Sequence, residues 1–324
     1  MRALAIGTAL ALLPTTAAAQ TYLVLITGLG GEPRYRAVFH ETAVTLADAA
    51  VTRHGVHRDR VTYLGARPAL DRARIAARST KDTIALTLGE LAETAEPGAA
   101  VVIVLIGHGA ESGGPPRFNV PGPDLTAPEF AVFLDRFPTQ RVIVINTTSA
   151  SGGWIRPLSA SNRTIVTATR SGIERLESYF GTHFAAAFAS DDADTDQNGR
   201  TSILEAFEYA RREVRRVYES DNRLLTEHAM IDDNGDGEGS LEPNITSGDG
   251  ALAAHLFLDD VSGVASSDPA VVALEQQRDS LEQKVEALRA RRSSMDESAY
   301  EQELERLLLE VARVGRALRE RSER

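Results

Sequence analysis

Two hydrophobic patterns alternate along the first 260 residues of the chain. Short continuous apolar runs are typical of strands buried on both faces, and apolar residues that recur every three to four positions are typical of helices. The runs predict strands over Tyr22–Thr27, Val61–Leu64, Val101–Ile106, Val142–Asn146 and Thr164–Thr169. The periodic segments predict helices over Tyr35–His54, Thr80–Ala95, Pro128–Phe137 and Ser178–Ser190. This alternation predicts an α/β domain over residues 20–260, with a mostly parallel sheet flanked by helices.

Beyond this domain the apolar residues follow heptad-like spacing, first from Val271 to Leu288 and again from Tyr300 to Leu318. Asp268-Pro269 is a helix start, and Ser294–Glu297 has the form of a capping box for a second helix. Residues 268–324 are therefore predicted to form an antiparallel helical hairpin, or coiled coil. Its apolar stripe either closes the hairpin on itself or joins copies of the chain in a homo-oligomer.

Residues 1–19 have the composition of a secretory signal peptide. Arg2 precedes an apolar stretch over Ala3–Leu13, and Ala17-Ala18-Ala19 offers a cleavage site. The stretch is too short to cross a bilayer core of about 30 Å, and no later segment reaches the ~20 apolar residues of a span. The chain has no cysteine, which removes disulfides and lipidated cysteines. We expect a secreted or periplasmic protein with no membrane span in the mature chain.

Charge and glycine spacing exclude two classes of ligand. The formal net charge of −11 argues against nucleic acid, which requires a basic face on the protein. The segment Gly28–Pro33 follows a predicted strand, but it lacks the third glycine of a dinucleotide fingerprint and has proline where the helix should open. No Gly-Lys-Ser/Thr follows it either, so no nucleotide cofactor is expected.

Two predicted strands end in residues of the types that take part in catalysis. One runs into Gly107-His108-Gly109, and the next runs into the hydroxyl-rich turn Thr147–Gly153. Functional groups of parallel sheets gather where the carboxyl ends of the strands emerge, so this pair has the layout of a covalent hydrolase. Each end also has a simpler interpretation, since a histidine can cap a loop and Ser/Thr/Gly clusters form ordinary turns.

These strand ends resemble those of the legumain-like members of the caspase-type (clan CD) cysteine peptidases. In that family one strand ends in His-Gly and the next in Glu-Ala-Cys-x-Ser-Gly, where this chain has Thr147-Thr148-Ser149-Ala150-Ser151-Gly152. The pair Tyr35-Arg36 after the first strand and the segment Thr167–Thr169 also match the family, so that the resemblance covers residues 22–190. It implies a caspase-like fold and a peptide or protein substrate.

The resemblance assigns roles residue by residue. His108 falls on the catalytic histidine and Ser149 on the nucleophilic cysteine, while the backbone amides of Ser149 and Gly109 fall on the oxyanion hole. The implied substrate-binding residues are Arg36, Thr147 and Thr169. Thr147 replaces an acidic or amide residue of the family, so selectivity for Asn or Asp does not carry over.

Serine at the position of the cysteine changes the expected activity. A thiol is partly ionised near neutral pH and tolerates a loosely placed histidine. A hydroxyl requires a base within roughly 2.6–3.2 Å, and the chain has no Gly-x-Ser-x-Gly elbow to supply another scaffold. We therefore expect a peptidase fold that is slow or inactive as a peptidase and acts as a calcium-stabilised peptide-binding module. The alternative is an active serine peptidase or hydrolase that uses Ser149 and His108.

A twelve-residue acidic segment from Asp194 to Glu205 fits the EF-hand calcium loop, with glycine at its sixth position. Its predicted Ca²⁺ ligands are Asp194, Asp196, Asn198, the carbonyl of Arg200, Ser202 and Glu205. Thr201 stands where an aliphatic residue is usual. The alternative is an acidic turn in which Ser202 and Glu205 form a capping box for the next helix.

A second acidic run, residues 232–242, has ligand spacing at Asp232, Asn234 and Asp236, but Pro243 stands at its twelfth position. A calcium turn and a plain loop both remain open for it. His228, just upstream, either adds a polar group to a site or closes a helix end.

Overall fold

A computed structural model describes residues 20–174, 178–244, 248–258, individual residues between 270 and 288, and 295–322. The predicted signal peptide, residues 1–19, lies outside this range. The strands are β1 (Thr21–Thr27), β2 (Val61–Gly65), β3 (Ala77–Arg78), β4 (Ala100–Ile106), β5 (Gly109–Ala110), β6 (Arg117–Phe118), β7 (Leu125–Thr126), β8 (Arg141–Asn146), β9 (Arg163–Thr167) and β10 (Met230–Asp232). The helices are α1 (Pro33–Thr52), α2 (Lys81–Thr94), α3 (Ala127–Leu134), α4 (Ile155–Leu158), α5 (Phe180–Ala189), α6 (Ile203–Ser220) and α7 (Glu297–Ser322).

Seven strands form one sheet in the order β10-β9-β8-β4-β1-β2-β3. All neighbouring pairs are parallel except β10, which runs antiparallel to β9 at one edge. The predicted α/β class with a mostly parallel sheet is therefore confirmed. β4 lies at the centre of the sheet, and each of its residues is buried.

The alternation of side chains along β4 builds two apolar layers. Val102, Val104 and Ile106 pack on one face with residues of α1, α5 and α6. Val101, Ile103 and Leu105 pack on the other with residues of α2, α3 and α4. A strand covered by helices on both faces has no polar side, which is why its sequence is a continuous apolar run.

The structure differs from the predicted elements at several boundaries. Helix α1 begins at Pro33, because proline is tolerated in the first turn, where its missing N–H has no partner to lose. Strand β9 ends at Thr167, two residues earlier than predicted, because the chain turns there. The Thr169 hydroxyl then accepts the N–H of Ser151, in the turn that follows β8. The predicted loop after His108 contains a small antiparallel sheet, β5-β6-β7. Its strands have two residues each, too short to give a sequence signal.

In the C-terminal segment, the individual residues described between 270 and 288 are helical, and α7 follows from Glu297. The apolar side chains of this segment form a cluster of their own, made up of Leu281, Leu288, Tyr300, Leu307 and Val314. The heptad-like positions are therefore the buried ones. Within the described residues, no helix combines the length and the apolar character that crossing a membrane requires.

Candidate functional site

The two polar strand ends identified in the sequence emerge side by side. β4 and β8 are adjacent parallel strands, with Leu105 opposite Asn146. His108 follows the first strand and Ser149 the second, both at the carboxyl edge of the sheet. This adjacency follows from the strand order and brings the two predicted catalytic positions to one place.

The imidazole of His108 is half-buried against two aromatic rings of α1. Its centroid lies 4.7 Å from that of Tyr35 and 5.1 Å from that of Phe39, both in edge-to-face geometry. Such arrangements stabilise a ring pair beyond the area that they bury. Helix α1 therefore supports the histidine.

The hydroxyl of Ser149 is engaged with the backbone of Gly109. Its Oγ accepts the N–H of Gly109 and donates to the carbonyl oxygen of Gly109, each at 3.3 Å. Ser149 is only 3% exposed. Among the described residues, both hydrogen bonds of this hydroxyl go to Gly109, the residue whose N–H was predicted to hold an oxyanion.

Close approach of the two strand ends explains the glycine at position 109. A Cβ there would lie 2.4 Å from the carbonyl oxygen of Ser149 and 2.8 Å from the Oγ1 of Thr148. Contacts this short require the backbone to move, so only glycine fits without distortion.

Hydrogen bonds to Glu174 and Thr169 fix the turn that follows Ser149. Ala150 has a φ of 55°, a conformation uncommon outside glycine, and its N–H donates to the carbonyl of Glu174 at 2.8 Å. The hydroxyl of Thr169 accepts the N–H groups of Ser151 at 2.7 Å and Gly152 at 3.2 Å. Thr169 is 2% exposed. This predicted substrate-binding residue is therefore buried, and its hydroxyl stabilises the turn.

The other two predicted substrate-binding residues lie in separate cavities. Thr147, whose Oγ1 donates to the carbonyl of Leu105 at 2.8 Å, lines a water-sized recess together with His108. Arg36 lines a larger cavity of about 250 Å³ at the carboxyl ends of β1 and β2. Phe39 borders both. The structure therefore brings together His108 and Thr147 but not Arg36, Thr147 and Thr169.

A carboxylate network supports the same turn, and sequence reasoning did not find it. The Oε1 of Glu174 lies 2.6 Å from Nδ1 of His228 and 3.2 Å from Nε of Arg170. Glu174 also accepts the backbone N–H groups of His228 and Arg170. His228 thus acts by binding Glu174, 54 positions earlier in the chain, a separation across which no local pattern carries a signal.

Glu227 is a buried carboxylate at the start of α5. It accepts the hydroxyl of Ser178 at 2.6 Å and the backbone N–H groups of Tyr179 at 3.0 Å and Phe180 at 2.9 Å. Burial raises the pKa of Glu227 to about 6, against the opposing effect of these hydrogen bonds. Glu227 thereby fixes the start of α5. Ser178, which precedes this helix, and Gly181, within it, line the recess beside His108.

The predicted calcium loop lies between α5 and α6. Asp194 accepts the N–H groups of Asn198 at 3.0 Å and Gly199 at 2.9 Å, and Gly199 has a φ of 84°. Ligand oxygens of Asp194, Asp196 and Glu205 all lie within 4.8 Å of one another. Burial, followed by the negative charge of Glu205, raises the pKa of Asp196 to about 7.

The remaining predicted ligands take part in the folding of this loop. Asn198 Oδ1 accepts the N–H of Arg200 at 2.8 Å, and the Arg200 guanidinium lies over the ring of Phe257. Ser202 and Glu205 form a capping box at the start of α6. The capping box and the convergence of carboxylates therefore coexist, since Glu205 uses Oε2 for the box and Oε1 for the N–H of Thr195 across the loop.

In the second acidic run, backbone groups bind the buried carboxylates. Asp232 accepts the N–H groups of Gly235 and Gly237, and Asp233 accepts those of Gly250 and Ala253. Burial raises the pKa of Asp249, which binds the N–H of Asp233, to about 6. The described contacts are those of a hydrogen-bonded loop.

Fold and site together define an α/β protein with polar groups at the carboxyl edge of a mostly parallel sheet. No protein-family model matches the chain, and no curated protein matches it. Among solved structures, the chain is similar to the crystal structure of protein GSU0716 from Geobacter sulfurreducens, a Northeast Structural Genomics target. The TM-score is 0.41 and the identity 14%, over 65% of this chain and 92% of that chain.

Proposed function

We propose that this protein has a caspase-like, legumain-related peptidase fold and binds peptides at the β4–β8 edge without cleaving them at an appreciable rate. The observation that supports this proposal is the pair of hydrogen bonds between Ser149 and Gly109. They involve the two groups that cleavage requires, the hydroxyl proton and an oxyanion donor.

The geometry disfavours nucleophilic attack for two reasons. A serine nucleophile must pass its proton to a base within hydrogen-bond reach, whereas Ser149 donates to a peptide carbonyl, which does not act as a base. The N–H of Gly109 must face a developing oxyanion, whereas here it points to the Ser149 Oγ. Attack would require the side chain to rotate and break both bonds.

Peptide binding requires less of the same edge. A bound chain requires polar groups and shape, and the edge offers the aromatic rings of Tyr35 and Phe39 beside His108. Two cavities open on either side of Phe39. Recognition through pockets for alternate side chains is a common mode of peptide binding.

Calcium has a structural role in this proposal. The convergence of Asp194, Asp196 and Glu205 supports a Ca²⁺ site, because clustered carboxylates repel one another until a cation neutralises them. Bound between α5 and α6, the ion would stabilise the helix that lines the recess beside His108. Export by residues 1–19 and self-association through the C-terminal helices complete the proposal.

One observation favours the alternative, a serine hydrolase. His108 and Ser149 follow adjacent parallel strands, so the two side chains that a serine hydrolase would use emerge at the same edge of the sheet. The second candidate function is therefore a serine peptidase or hydrolase, in which Ser149 forms a covalent intermediate with the substrate.

An activity assay with matched variants separates the two candidates. The wild type, Ser149→Cys and His108→Ala are incubated with a fluorophosphonate probe and a fluorogenic peptide library, and binding is measured by fluorescence anisotropy. We expect the wild type to bind peptides without labelling or cleavage and Ser149→Cys to gain cleavage, since a thiolate tolerates a loosely placed base. Cleavage by the wild type that His108→Ala abolishes would establish the hydrolase instead. Absence of peptide binding would refute the binding proposal, and absence of labelling and cleavage in the wild type would refute the hydrolase.

A further inference from the structure

A third cavity, the α6 cavity, lies between helix α6 and the segment that leads into β10. It has a volume of about 280 Å³. Among the described residues, it shares no lining residue with the two cavities beside Phe39. Ligand pockets in proteins generally measure about 300–1,000 Å³, so the α6 cavity has the size for a small molecule.

The wall of the α6 cavity combines apolar side chains with two arginines. The apolar lining residues are Phe180, Val214, Leu225, Ala229 and Leu241. Arg211 and Arg215 are four positions apart on α6, so they lie on the same face of the helix. A ligand that suits both parts of this wall has an apolar body and one negatively charged end.

The charge of Arg215 is available to a ligand. Within the part of the chain that the structure describes, Arg215 forms no ion pair, whereas its neighbour Arg216 pairs with Glu213 at 2.7 Å. Arg211 pairs with Glu242 at 3.2 Å, but the Glu242 side chain is 89% exposed. Ion pairs of such exposed groups stabilise a protein little. A carboxylate of the chain thus already binds Arg211 at the cavity lining, and a ligand carboxylate can replace it.

The other ionisable groups of the lining bind other parts of the protein. The Glu227 carboxylate accepts the Ser178 hydroxyl at 2.6 Å and two backbone N–H groups at the start of α5. Nδ1 of His228 lies 2.6 Å from the carboxylate of Glu174. The two arginines are therefore the charged groups left for a ligand.

We infer that the α6 cavity binds a small carboxylate with an apolar body, a short alkanoate or arylalkanoate, whose charged end lies between Arg211 and Arg215. Guanidinium groups bind carboxylates through parallel N–H donors, and the two oxygens of one carboxylate can be shared between two arginines. The inference goes beyond the proposed function, because neither a peptide nor the residues at the β4–β8 edge take part in it.

The test compares two carboxylates with their amides. Hexanoate and 3-phenylpropionate, with hexanamide and 3-phenylpropanamide as neutral counterparts, are titrated against the protein and followed by saturation-transfer difference NMR. We expect an acid to bind about tenfold more tightly than its amide, a difference of about 1.4 kcal/mol. The preference should shrink in Arg215→Gln and disappear in Arg211→Gln/Arg215→Gln. Arg216→Gln is the matched control that should keep it, since Arg216 lies on α6 outside the cavity lining.

Glu242→Gln should change the affinity in the opposite direction. The substitution removes the chain's own carboxylate from Arg211, so the acids should bind more tightly than they do to the wild type. A gain of affinity cannot come from misfolding. Unchanged or weaker binding in this variant would overturn the placement of the carboxylate between the two arginines.

Three other outcomes overturn the inference: no binding of either acid, equal binding of acid and amide, and a preference that survives in the double variant. In the last case the carboxylate must be held elsewhere. None of these outcomes bears on peptide binding at the β4–β8 edge, which is measured with different ligands and different variants.

Discussion

Ser149 and Gly109 hold each other through two reciprocal hydrogen bonds, each 3.3 Å long. The bonds join the ends of β4 and β8, the two neighbouring strands that precede His108 and Ser149. Ser149 as a whole is only 3% exposed, at a position that would need to face a substrate. Because of this contact we favour peptide binding over cleavage. Substitution of Gly109 tests how closely the two strand ends approach each other.

Replacement of Gly109 by alanine should destabilise the protein by about 1–3 kcal/mol, because the new Cβ would overlap the Ser149 carbonyl and force the strand ends apart. Urea unfolding followed by circular dichroism measures the change. Gly114→Ala is the matched control, since a Cβ at Gly114 would meet nothing within 4 Å. Equal stabilities for the two variants would contradict the close approach of the strands.

Thr169→Val should cost about 2 kcal/mol or more, because it leaves the buried N–H groups of Ser151 and Gly152 without their acceptor. Valine keeps the shape of threonine, so the loss reports the hydrogen bonds. Thermal unfolding of this variant beside Thr94→Val, an exposed position, gives the comparison. A loss no larger than that of Thr94→Val would show that Thr169 does not support the turn.

Calcium should raise the melting temperature of the wild type, and Asp194→Asn should abolish the increase. The reason is that a bound cation relieves the repulsion among Asp194, Asp196 and Glu205. Differential scanning fluorimetry with and without 1 mM Ca²⁺, against the same concentration of Mg²⁺, measures the shift. Asp236→Asn, in the second acidic run, is the control that should keep the response. A wild type that does not respond to calcium would remove the metal from the proposal.

Glu227 should make the protein less stable as the pH rises from about 4.5 to about 6. Its pKa is raised from 4.5 to about 6 in the folded state, so the folded protein binds the proton more tightly than the unfolded chain does. The contribution is complete below pH 4.5 and is lost as the pH passes 6. A shift of this size corresponds to about 2 kcal/mol.

The measurement is the free energy of unfolding of the wild type and of Glu227→Gln at pH 4, 5, 6 and 7. The difference between the two proteins isolates this group from the other carboxylates. We expect the wild type to lose about 2 kcal/mol relative to the variant across this range. A difference that stays constant with pH would mean that Glu227 titrates normally.

Local patterns in the sequence determined the class of the fold and which strand ends form the candidate site. The apolar run at β4 and the one at β8 require cover on both faces, and this requirement specifies a parallel sheet with helices on each side. The polar residues that follow these strands must then emerge at one edge. His108 and Ser149 do so because strand direction and strand order dictate it.

Only the tertiary structure decided which groups touch. That Ser149 bonds to Gly109, that Arg36 and Thr147 line different cavities, and that His228 binds Glu174 all depend on how separate elements pack. Such contacts join residues far apart in the chain, and their distances depend on side-chain volumes in the core. A local sequence pattern specifies a strand or a turn, but it contains no information about the rotamer that its neighbours will select.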